Sequence, residues 1–354
     1  MNKPTPEPGK LTVLIFGAGA IGTYIGGSLA QVGHRVHFLE RREKFSRLRE
    51  RGFRIDRGDS TYRLPDPHLV PSLQQAVLKT QYHLAVLALK TYHNPRVLRD
   101  LQGLEESFPP VLCLQNGLSN EAQFARVLGE NQVIPGTVTT SVSKRRTGDV
   151  TLEKRRGIGL AGDHHLVPVL KEHFQQAGLA ARYYQQPEAM KWSKVLTNIM
   201  GNASAAILNM SPQEIYRHPD AYRLEVDQFR EALRVMRAEG HRPVNLPGLP
   251  VRPLTAVIRR LPPWLSQPIL QEAVGGGRGE KMPSFYLDLH SGGKKTEVEK
   301  LNGEIARRAQ AHGLRAPVNR TLTRILLQLA EGEIPLDTYD HRPGALRSAV
   351  ENHG

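Results

Sequence analysis

A short glycine-rich segment near the start of the chain constrains the fold more than any other feature. Residues 16–22 read FGAGAIG with the glycine spacing G-x-G-x-x-G, between an apolar run of strand length (LTVLIF, 11–16) and a helical pattern. In this context the first glycine allows a tight turn, the second lets the backbone approach a pyrophosphate, and the third lets the helix pack on the strand. The segment therefore predicts a dinucleotide-binding unit whose helix N-terminus faces the phosphates. Its predicted cofactor-binding residues are Gly17, Gly19, Ala20, Ile21 and Gly22.

The end of the next predicted strand bears on which nicotinamide cofactor is bound. The run HRVHFLE (34–40) ends in Glu40 and is followed by Arg41 and Arg42. An acid at this position hydrogen-bonds the ribose 2′-hydroxyl of NAD, whereas an arginine accommodates the 2′-phosphate of NADP. The sequence contains both residue types, and Arg42 is interpreted equally well as a solvent-exposed charge at the start of a helix.

The rest of the first half alternates between strand and helix patterns. Apolar runs with strand character occur at 84–89, 111–114 and 133–138. A helix is predicted at 119–129, and the basic segment 144–156 predicts a hairpin with its turn at Gly148-Asp149. Strands that alternate with helices favour a mostly parallel, doubly wound sheet covered by helices on both faces. We therefore predict a Rossmann-type α/β domain over residues 1–186.

The pattern changes after residue 186, where helical periodicity dominates. Helices are predicted at 187–209, 211–240, 254–274, 297–312 and 317–331. The 354 residues are enough for two medium-sized domains. We therefore predict an all-helical second domain over 187–335, followed by a polar tail, 336–354, that is loosely packed.

Composition narrows the possible partners. The chain has 48 basic and 34 acidic residues, a formal charge of +14 that favours anionic partners. The single cysteine excludes internal disulfides and thiolate zinc clusters, and the 14 histidines show no metal-binding spacing, so no metal is expected. The basic hairpin lacks interleaved aromatic residues, which argues against nucleic acid as a partner. No apolar stretch approaches the ~20 residues that span a bilayer, and the N-terminal arm lacks an apolar signal segment. We expect a cytoplasmic protein without a membrane partner.

The helix predicted at 187–209 has the most informative side-chain pattern. Lys194, Asn198 and Asn202 follow one another at intervals of four residues and form one polar stripe on an otherwise apolar helix. One interpretation is a core helix whose polar groups are satisfied internally. The other is a stripe that faces a cleft, where an amine and two amides bind a substrate. Burial of such groups without partners is expensive, which favours the second interpretation.

Three further polar residues occupy positions where ligands bind. Lys90 and Asn116 each follow a predicted strand, and ligands of open α/β sheets bind at the carboxyl ends of the strands. Asn116 is also a common turn residue. Near the end of the chain, Thr296 and Glu299 have the spacing of a capping box, which places Glu297 in the first turn of a helix. Its carboxylate either stabilises the helix dipole or serves the site.

Taken in order, these segments resemble the ketopantoate reductase (2-dehydropantoate 2-reductase) family over residues 11–331. The matching segments are GAGAIG, QNGL, KVLTNIMGN, PSFYLDLHSGGKKTEVEKLNG and HGLRAPVNRTL. The resemblance implies a Rossmann-type domain followed by a helical domain. It also implies NADPH-dependent reduction of a small anionic 2-oxo acid to a 2-hydroxy acid, namely 2-dehydropantoate to pantoate in pantothenate and coenzyme A biosynthesis.

The resemblance also implies roles for individual residues. Lys194 matches the general acid, and Glu297 matches a residue that orients the lysine and the substrate, between the two domains and beside the cofactor. Arg41 matches the arginine that binds the 2′-phosphate, and Lys90 a lysine at the cofactor site. Asn116 matches an asparagine near the nicotinamide ribose and the substrate. The remaining implied substrate-binding residues are Asn198, Asn202 and Ser284.

Two alternatives stay open at this point. The segment 241–283 is longer than in compact members of that family, so a relative on the same scaffold could reduce a different 2-oxo acid. A protein that binds NADP as a sensor, without turnover, is the second alternative, and the intact Lys194–Asn198–Asn202 stripe argues against it. NAD as cofactor is not excluded because of Glu40. The sequence allows a homodimer but does not decide the oligomeric state.

Overall fold

The computed structural model describes residues 9–275, 281–290 and 295–353 of the chain. The chain forms two compact units. The first comprises Met1–Met190 with Leu246–Leu249, and the second comprises Lys191–Asn245 with Pro250–Gly354. The predicted boundary at 186 lies a few residues before this division, and the short return of the chain at 246–249 was not predicted.

A mostly parallel sheet organises the first unit. Within the described residues its strands, in chain order, are β1 (Thr12–Phe16), β2 (Arg35–Leu39), β3 (Phe53–Asp56), β4 (Thr61–Leu64), β5 (His68–Val70), β6 (Leu84–Leu87), β7 (Val111–Cys113), β8 (Val133–Val138), β9 (Ser141–Arg146), β10 (Asp149–Lys154), β11 (Ile158–Ala161) and β12 (Ala181–Tyr184). The larger sheet has the order β12-β11-β8-β7-β6-β1-β2-β5. The six neighbouring strands β8, β7, β6, β1, β2 and β5 are all parallel. Strand β11 pairs antiparallel with β8 and parallel with β12. The predicted Rossmann-type topology is confirmed.

Helices cover both faces of this sheet. They are α1 (Ala20–Gln31), α2 (Phe45–Arg51), α3 (Leu73–Lys79), α4 (Asn94–Leu101), α5 (Asn120–Leu128) and α6 (Val167–Gln176). The side chains of β1 alternate between two apolar clusters. Val13 and Ile15 pack with residues of α1 and α6, whereas Leu14 and Phe16 pack with residues of α3, α4 and α5. The buried strand thus explains why LTVLIF reads as a continuous apolar run.

A smaller sheet of order β4-β3-β10-β9 adjoins α1. The predicted basic hairpin is confirmed as β9 and β10, which pair antiparallel. Strand β10 also pairs in parallel with β3. Strands β3, β4 and β5 were not predicted, because these short segments carry isolated charges within their apolar pattern.

The second unit is helical, as predicted. Its described helices are α7 (Pro187–Ile199, which starts in the first unit), α8 (Ala203–Leu208), α9 (Pro212–Arg217), α10 (Pro219–Ala238), α11 (Val251–Arg260), α12 (Pro263–Gly275), α13 (Ser284–His290), α14 (Asn302–Ala311), α15 (Pro317–Glu331) and α16 (Pro343–His353). The helix predicted at 317–331 is confirmed with the same bounds as α15. Within the described ranges, no helix combines the length and apolar character needed to cross a bilayer.

Three long helices of the prediction are each two helices in the structure, those at 187–209, 211–240 and 254–274. The first breaks at Gly201, whose φ of +53° a helix cannot continue. The other two break before Pro219 and at Pro262, because proline has no N–H and disfavours the helical conformation of the residue before it.

The prediction of a loosely packed tail is wrong. Helix α16 packs against α10 and α15, and it buries Leu346 and Val350. Arg347 on the same helix pairs with Asp220 of α10 at 2.8 Å. Two apolar residues four positions apart are enough to bury one face of a short helix, although the segment is polar on average.

Candidate active-site residues of the two units

The glycine-rich turn has the geometry that the sequence predicts. Gly17 has a φ of +85°, and a Cβ at Gly22 would lie 1.9 Å from the Gly17 carbonyl oxygen, so neither position accepts a side chain. A Cβ at Gly19 would meet no atom within 4 Å, which leaves open space beside the backbone where α1 begins at Ala20. The turn therefore offers an open helix N-terminus for a pyrophosphate.

Glu40 braces this turn from the end of β2. Its carboxylate accepts hydrogen bonds from the N–H of Ala18 at 3.3 Å and the N–H of Arg41 at 3.0 Å, and it pairs with Lys44 at 2.9 Å. The opposite side of Ala18 is also held, since its carbonyl accepts from Gly148 N–H in the hairpin turn at 3.2 Å. Burial raises the pKa of Glu40, but the hydrogen bonds and the Lys44 charge outweigh it and hold the pKa below its usual value. Glu40 is thus an ionised carboxylate already bound by the protein.

Two arginines follow Glu40 on the surface. Arg41 is exposed and pairs only loosely with the exposed Glu43, at 3.5 Å. Arg42 is exposed and begins the 3₁₀ turn Arg42–Lys44. Both guanidinium groups are thus free to reorient toward a phosphate beside the end of β2.

Lys90 and Asn116 lie at the ends of neighbouring strands, β6 and β7, and their loops are joined by a buried amide network. Gln115 Nε2 donates to the carbonyl of Leu89 at 3.0 Å and to Asn94 Oδ1 at 2.7 Å. The network continues when Asn94 Nδ2 donates to Asn120 Oδ1 at 3.0 Å and Asn120 Nδ2 donates to the Asn116 carbonyl at 2.7 Å. Sequence analysis missed Gln115, Asn94 and Asn120. The polar QN pair directly after a buried strand was the available signal.

The strand order brings the predicted cofactor-binding residues of the first unit together at the carboxyl ends of neighbouring strands. Strands β7, β6, β1 and β2 are neighbours, and their carboxyl ends carry Asn116, Lys90, Gly17 and Glu40 in turn. The strand order reverses between β6 and β1, which is where open α/β sheets bind their ligands.

In the second unit, Lys194 and Asn198 lie one turn apart on α7, and both are half-buried. The helix ends at Ile199, so Asn202 is not on the same helix, contrary to the prediction of one continuous stripe. Asn202 nevertheless stays next to Asn198, since its Nδ2 donates to the Asn198 carbonyl at 3.1 Å. Its Oδ1 accepts from the N–H of Phe285 at 3.2 Å, which fixes the first turn of α13 beside it. The exposed Ser284 begins that helix, so all four residues belong to one neighbourhood.

A buried carboxylate that the sequence did not reveal holds the break between α7 and α8. Glu225 on α10 is 1% exposed and accepts a hydrogen bond from Gly201 N–H at 2.6 Å. Its other oxygen accepts from the Ser204 hydroxyl. Glu225 thereby fixes the backbone on both sides of Asn202.

Glu297 is 4% exposed and precedes a 3₁₀ turn, Val298–Lys300, rather than lying in the first turn of an α-helix. The predicted capping box is wrong, because Thr296 Oγ1 accepts from Val298 N–H, and the α-helix starts only at Asn302. A solvated first-turn acid is thereby excluded. Residues 291–294 of the same motif lie outside the described residues. Three apolar residues of this segment are buried: Val298, Leu301 and Ile305.

The segment after Glu297 is anchored by buried polar side chains. Asn302 Nδ2 donates to Gln228 Oε1 at 3.0 Å and to Asn319 Oδ1 at 2.9 Å. Asn319 in turn donates through its side chain to Glu231 at 2.7 Å, and Glu231 also accepts from the N–H groups of Val318 and Asn319 at 2.9 Å. The LNG and APVN segments of the sequence therefore act together, as one hydrogen-bonded support. Among the described residues, no group of three or more His, Cys, Asp or Glu could hold a metal ion.

Comparison with known proteins points in the same direction as this geometry. Two family models match, "Ketopantoate reductase PanE/ApbA" over residues 13–162 and "Ketopantoate reductase PanE/ApbA C terminal" over residues 187–330. A 2-dehydropantoate 2-reductase of Halobacterium salinarum is 29% identical over 332 residues, 91% of this chain and 99% of that protein. The corresponding protein of Pyrococcus horikoshii is 26% identical over 314 residues, 87% of this chain and 94% of that protein.

Solved structures share the fold. A PanE/ApbA family ketopantoate reductase from Ralstonia eutropha superposes with a TM-score of 0.76 at 22% identity, covering 91% of this chain and 99% of that one. D-mandelate dehydrogenase, in a ternary structure with NADH and anilino(oxo)acetate, superposes with a TM-score of 0.74 at 21% identity and the same coverage. The residues matched by the two family models together span most of the chain.

Proposed function

We propose that this chain, which belongs to the ketopantoate reductase family, uses NADPH to reduce 2-dehydropantoate to pantoate. The family and its relatives show an oxidoreductase that depends on a nicotinamide dinucleotide; the choice of NADPH and of this 2-oxo acid is our proposal. The observation that supports it is that the structure contains one group of residues suited to bind the dinucleotide and another suited to bind and protonate the 2-oxo acid. One set surrounds the open turn at Gly19, and the other gathers around Asn202.

The residues at the edge of the first sheet fit a dinucleotide. The open backbone beside Gly19 and the start of α1 suit the pyrophosphate, while Lys90 and Asn116 extend from the neighbouring strand ends. NADPH is supported by the state of Glu40. Its charge is already engaged by Lys44 and by backbone N–H groups, and the exposed Arg41 next to it suits the 2′-phosphate.

The residues of the second unit fit the remaining requirements of a keto reduction. When bound, the reduced nicotinamide supplies a hydride to the carbonyl carbon. The alkoxide that forms needs a proton and a positive charge nearby, and the Lys194 ammonium supplies both. Asn198, Asn202 and Ser284 offer the amide and hydroxyl groups that hold a carboxylate and a hydroxyl. The nearly buried Glu297 favours the protonated form of a neighbouring lysine, which keeps a proton available for transfer.

The test is a panel of 2-oxo acids assayed with NADPH and with NADH, using the full-length protein. We expect the highest kcat/KM for 2-dehydropantoate with NADPH. A higher value for an aromatic or bulky 2-oxo acid would identify a relative with another substrate, and would overturn the assignment of 2-dehydropantoate. Tight NADPH binding without oxidation by any member of the panel would instead indicate a sensor and overturn the enzymatic proposal.

A further inference from the structure

A cavity lies in the first unit at the amino ends of strands β2 and β5, opposite the glycine-rich turn. Its volume is about 480 Å³, within the range of small-molecule sites. Arg35 and His68 line it from the first residues of β2 and β5, and Lys79 and Thr80 line it from the end of α3. Glu40, by contrast, follows the last residue of β2. Arg35 and Glu40 are five strand steps apart, a distance of about 16 Å.

His37 is a further residue that lines this cavity. Its ring stacks on that of His68, with centroids 3.8 Å apart, and its Nδ1 lies 2.7 Å from the hydroxyl of Tyr82. Burial raises the pKa of Tyr82 to about 12, and a side-chain hydrogen bond with Thr80 acts against this. We assign the Tyr82 hydroxyl as the donor to Nδ1 of the neutral His37 ring, which leaves the imidazole proton on Nε2. No group among the described residues bonds this Nε2, which is not fully enclosed, so its N–H opens into the cavity.

The charges around the cavity favour an anion. Arg35 and Lys79 are exposed cations, and neither forms an ion pair within the described part of the chain. Asp66 is the one acid among the described lining residues, and it lies near His68. Burial, reinforced by the charges of His68 and Arg35, lowers the pKa of His37 to about 4, so this imidazole is neutral near pH 7. The cavity therefore offers two cations against one carboxylate, together with one neutral N–H donor.

We propose that this cavity binds a small phosphate-bearing anion through the Arg35 guanidinium, the Lys79 ammonium and His37 Nε2–H. A phosphate carries up to two negative charges and several acceptor oxygens, which matches two cations and an additional donor. The cavity is larger than an inorganic phosphate. The apolar side chains in its wall, Ala30, Val36 and Leu64, suit the organic part of a phosphorylated metabolite.

The site is independent of the proposed reductase activity, and its test does not use that activity. Full-length protein with ¹³Cε1-labelled histidine is titrated with inorganic phosphate at constant ionic strength, and the His37 signal is identified by its loss in His37→Gln. We expect a saturable shift of the His37 and His68 signals and a rise in the pKa of His37, because a bound anion favours the charged imidazolium. Acetate at matched ionic strength is expected to have no saturable effect.

Two charge-matched double variants separate this cavity from the cofactor end of the sheet. In Arg35→Gln/Lys79→Gln the phosphate concentration for half-saturation should rise by about tenfold or more, since charge-assisted hydrogen bonds are lost. The variant Arg41→Gln/Arg42→Gln removes the same charge from the carboxyl end of β2, and the phosphate concentration for half-saturation should not change in it. A wild-type protein whose His37 signal does not respond saturably to phosphate would overturn the proposal. So would an equal weakening in both double variants, or an acetate response equal to that of phosphate.

Discussion

The glycine-rich turn of the first unit and the α7–α8 break of the second unit both rest on a buried carboxylate. Glu40 accepts from Ala18 N–H at 3.3 Å, and Glu225 accepts from Gly201 N–H at 2.6 Å. The settings of the two acids differ. The side chain of Glu40 is 9% exposed and paired with Lys44 near solvent, whereas Glu225 is 1% exposed and bonds the Ser204 hydroxyl deep in the helical unit.

This difference indicates what each carboxylate is needed for. The first turn is shaped mainly by sterics, because Gly17 and Gly22 have no room for a side chain. Its acid can therefore influence which cofactor binds without determining the fold of the turn. At the α7–α8 break, the φ of +53° favours glycine at position 201, but an added Cβ would meet its nearest neighbour, Pro212, only at 3.4 Å. Hydrogen bonds to Glu225 therefore have a larger share in fixing that backbone, and with it Asn202.

The largest expected effect is that of Lys194→Ala, which should impair catalysis in the second unit without impairing cofactor binding by the first unit. Lys194→Ala should lower kcat by ~10²–10⁴-fold, because general acid catalysis contributes that much. The dissociation constant of NADPH, measured by its fluorescence, should stay nearly unchanged. Arg237→Ala, which removes an exposed cation from the same unit, is the control. A near-normal kcat in Lys194→Ala would end the proposed role of this lysine.

A double-mutant cycle tests whether Glu297 acts through Lys194. Glu297→Ala should raise KM for the 2-oxo acid and lower kcat, since the proposed role of Glu297 is both to hold the substrate and to favour the charged lysine. The double variant should lose less activity than the product of the two single losses, because residues that act as a unit are non-additive. Fully multiplicative losses would show that the two residues act independently.

Glu225→Gln tests the hydrogen bonds that hold the α7–α8 break and should have an intermediate effect. We expect kcat to fall by about tenfold to a hundredfold, as displacement of substrate-positioning groups does, with cofactor affinity retained. The free energy of unfolding should fall by about 1–3 kcal/mol, because the hydrogen bonds of a buried carboxyl group are weakened or lost. Trp192 and Trp264, the only tryptophans of the chain, lie in the second unit, so their fluorescence follows its unfolding.

A control has to show that the loss of kcat in Glu225→Gln comes from displaced site residues and not only from lower stability. Glu304 is another buried carboxylate of the second unit, and its side chain accepts hydrogen bonds from Arg307 and Arg308 of its own helix, α14. Glu304→Gln should therefore destabilise the protein with a much smaller effect on kcat. Equal kcat losses in the two variants would reduce Glu225 to a purely structural residue.

The same contrast explains what sequence analysis could predict. The first sheet follows from local signals, since apolar strand runs and the glycine spacing around Gly17 determine each βα unit in turn. The helices of the second unit follow from the 3.6-residue period of their apolar residues, but this period continues across Gly201. Only the φ of +53° in the structure shows that the helix breaks there. Thr296 and Glu299 had the spacing of a capping box, but the backbone forms a 3₁₀ turn there instead.

Residues that act through partners distant in sequence were the least predictable. Glu225 lies 24 positions from Gly201 and occupies an ordinary helical position, so no pattern distinguishes it from a surface acid. Gln115 and Asn94, which join the loops of Lys90 and Asn116, are 21 positions apart. Asn302 and Asn319 appeared in the motifs that carry the family resemblance, but only the structure shows that they bond each other.

The smallest expected effect concerns Glu40 of the first unit. Two substitutions separate the effect of its negative charge from that of its hydrogen bond to the turn. Glu40→Gln keeps an oxygen that accepts from Ala18 N–H but removes the negative charge, so it should raise the NADPH/NADH ratio of kcat/KM by about fivefold. This corresponds to ~1 kcal/mol, the repulsion between two unit charges ~4 Å apart in water. Glu40→Ala should raise the ratio similarly, and it should also weaken the binding of both cofactors because the turn loses its acceptor. An unchanged ratio in both variants would mean that Glu40 does not reach the ribose and that its role is confined to supporting the turn.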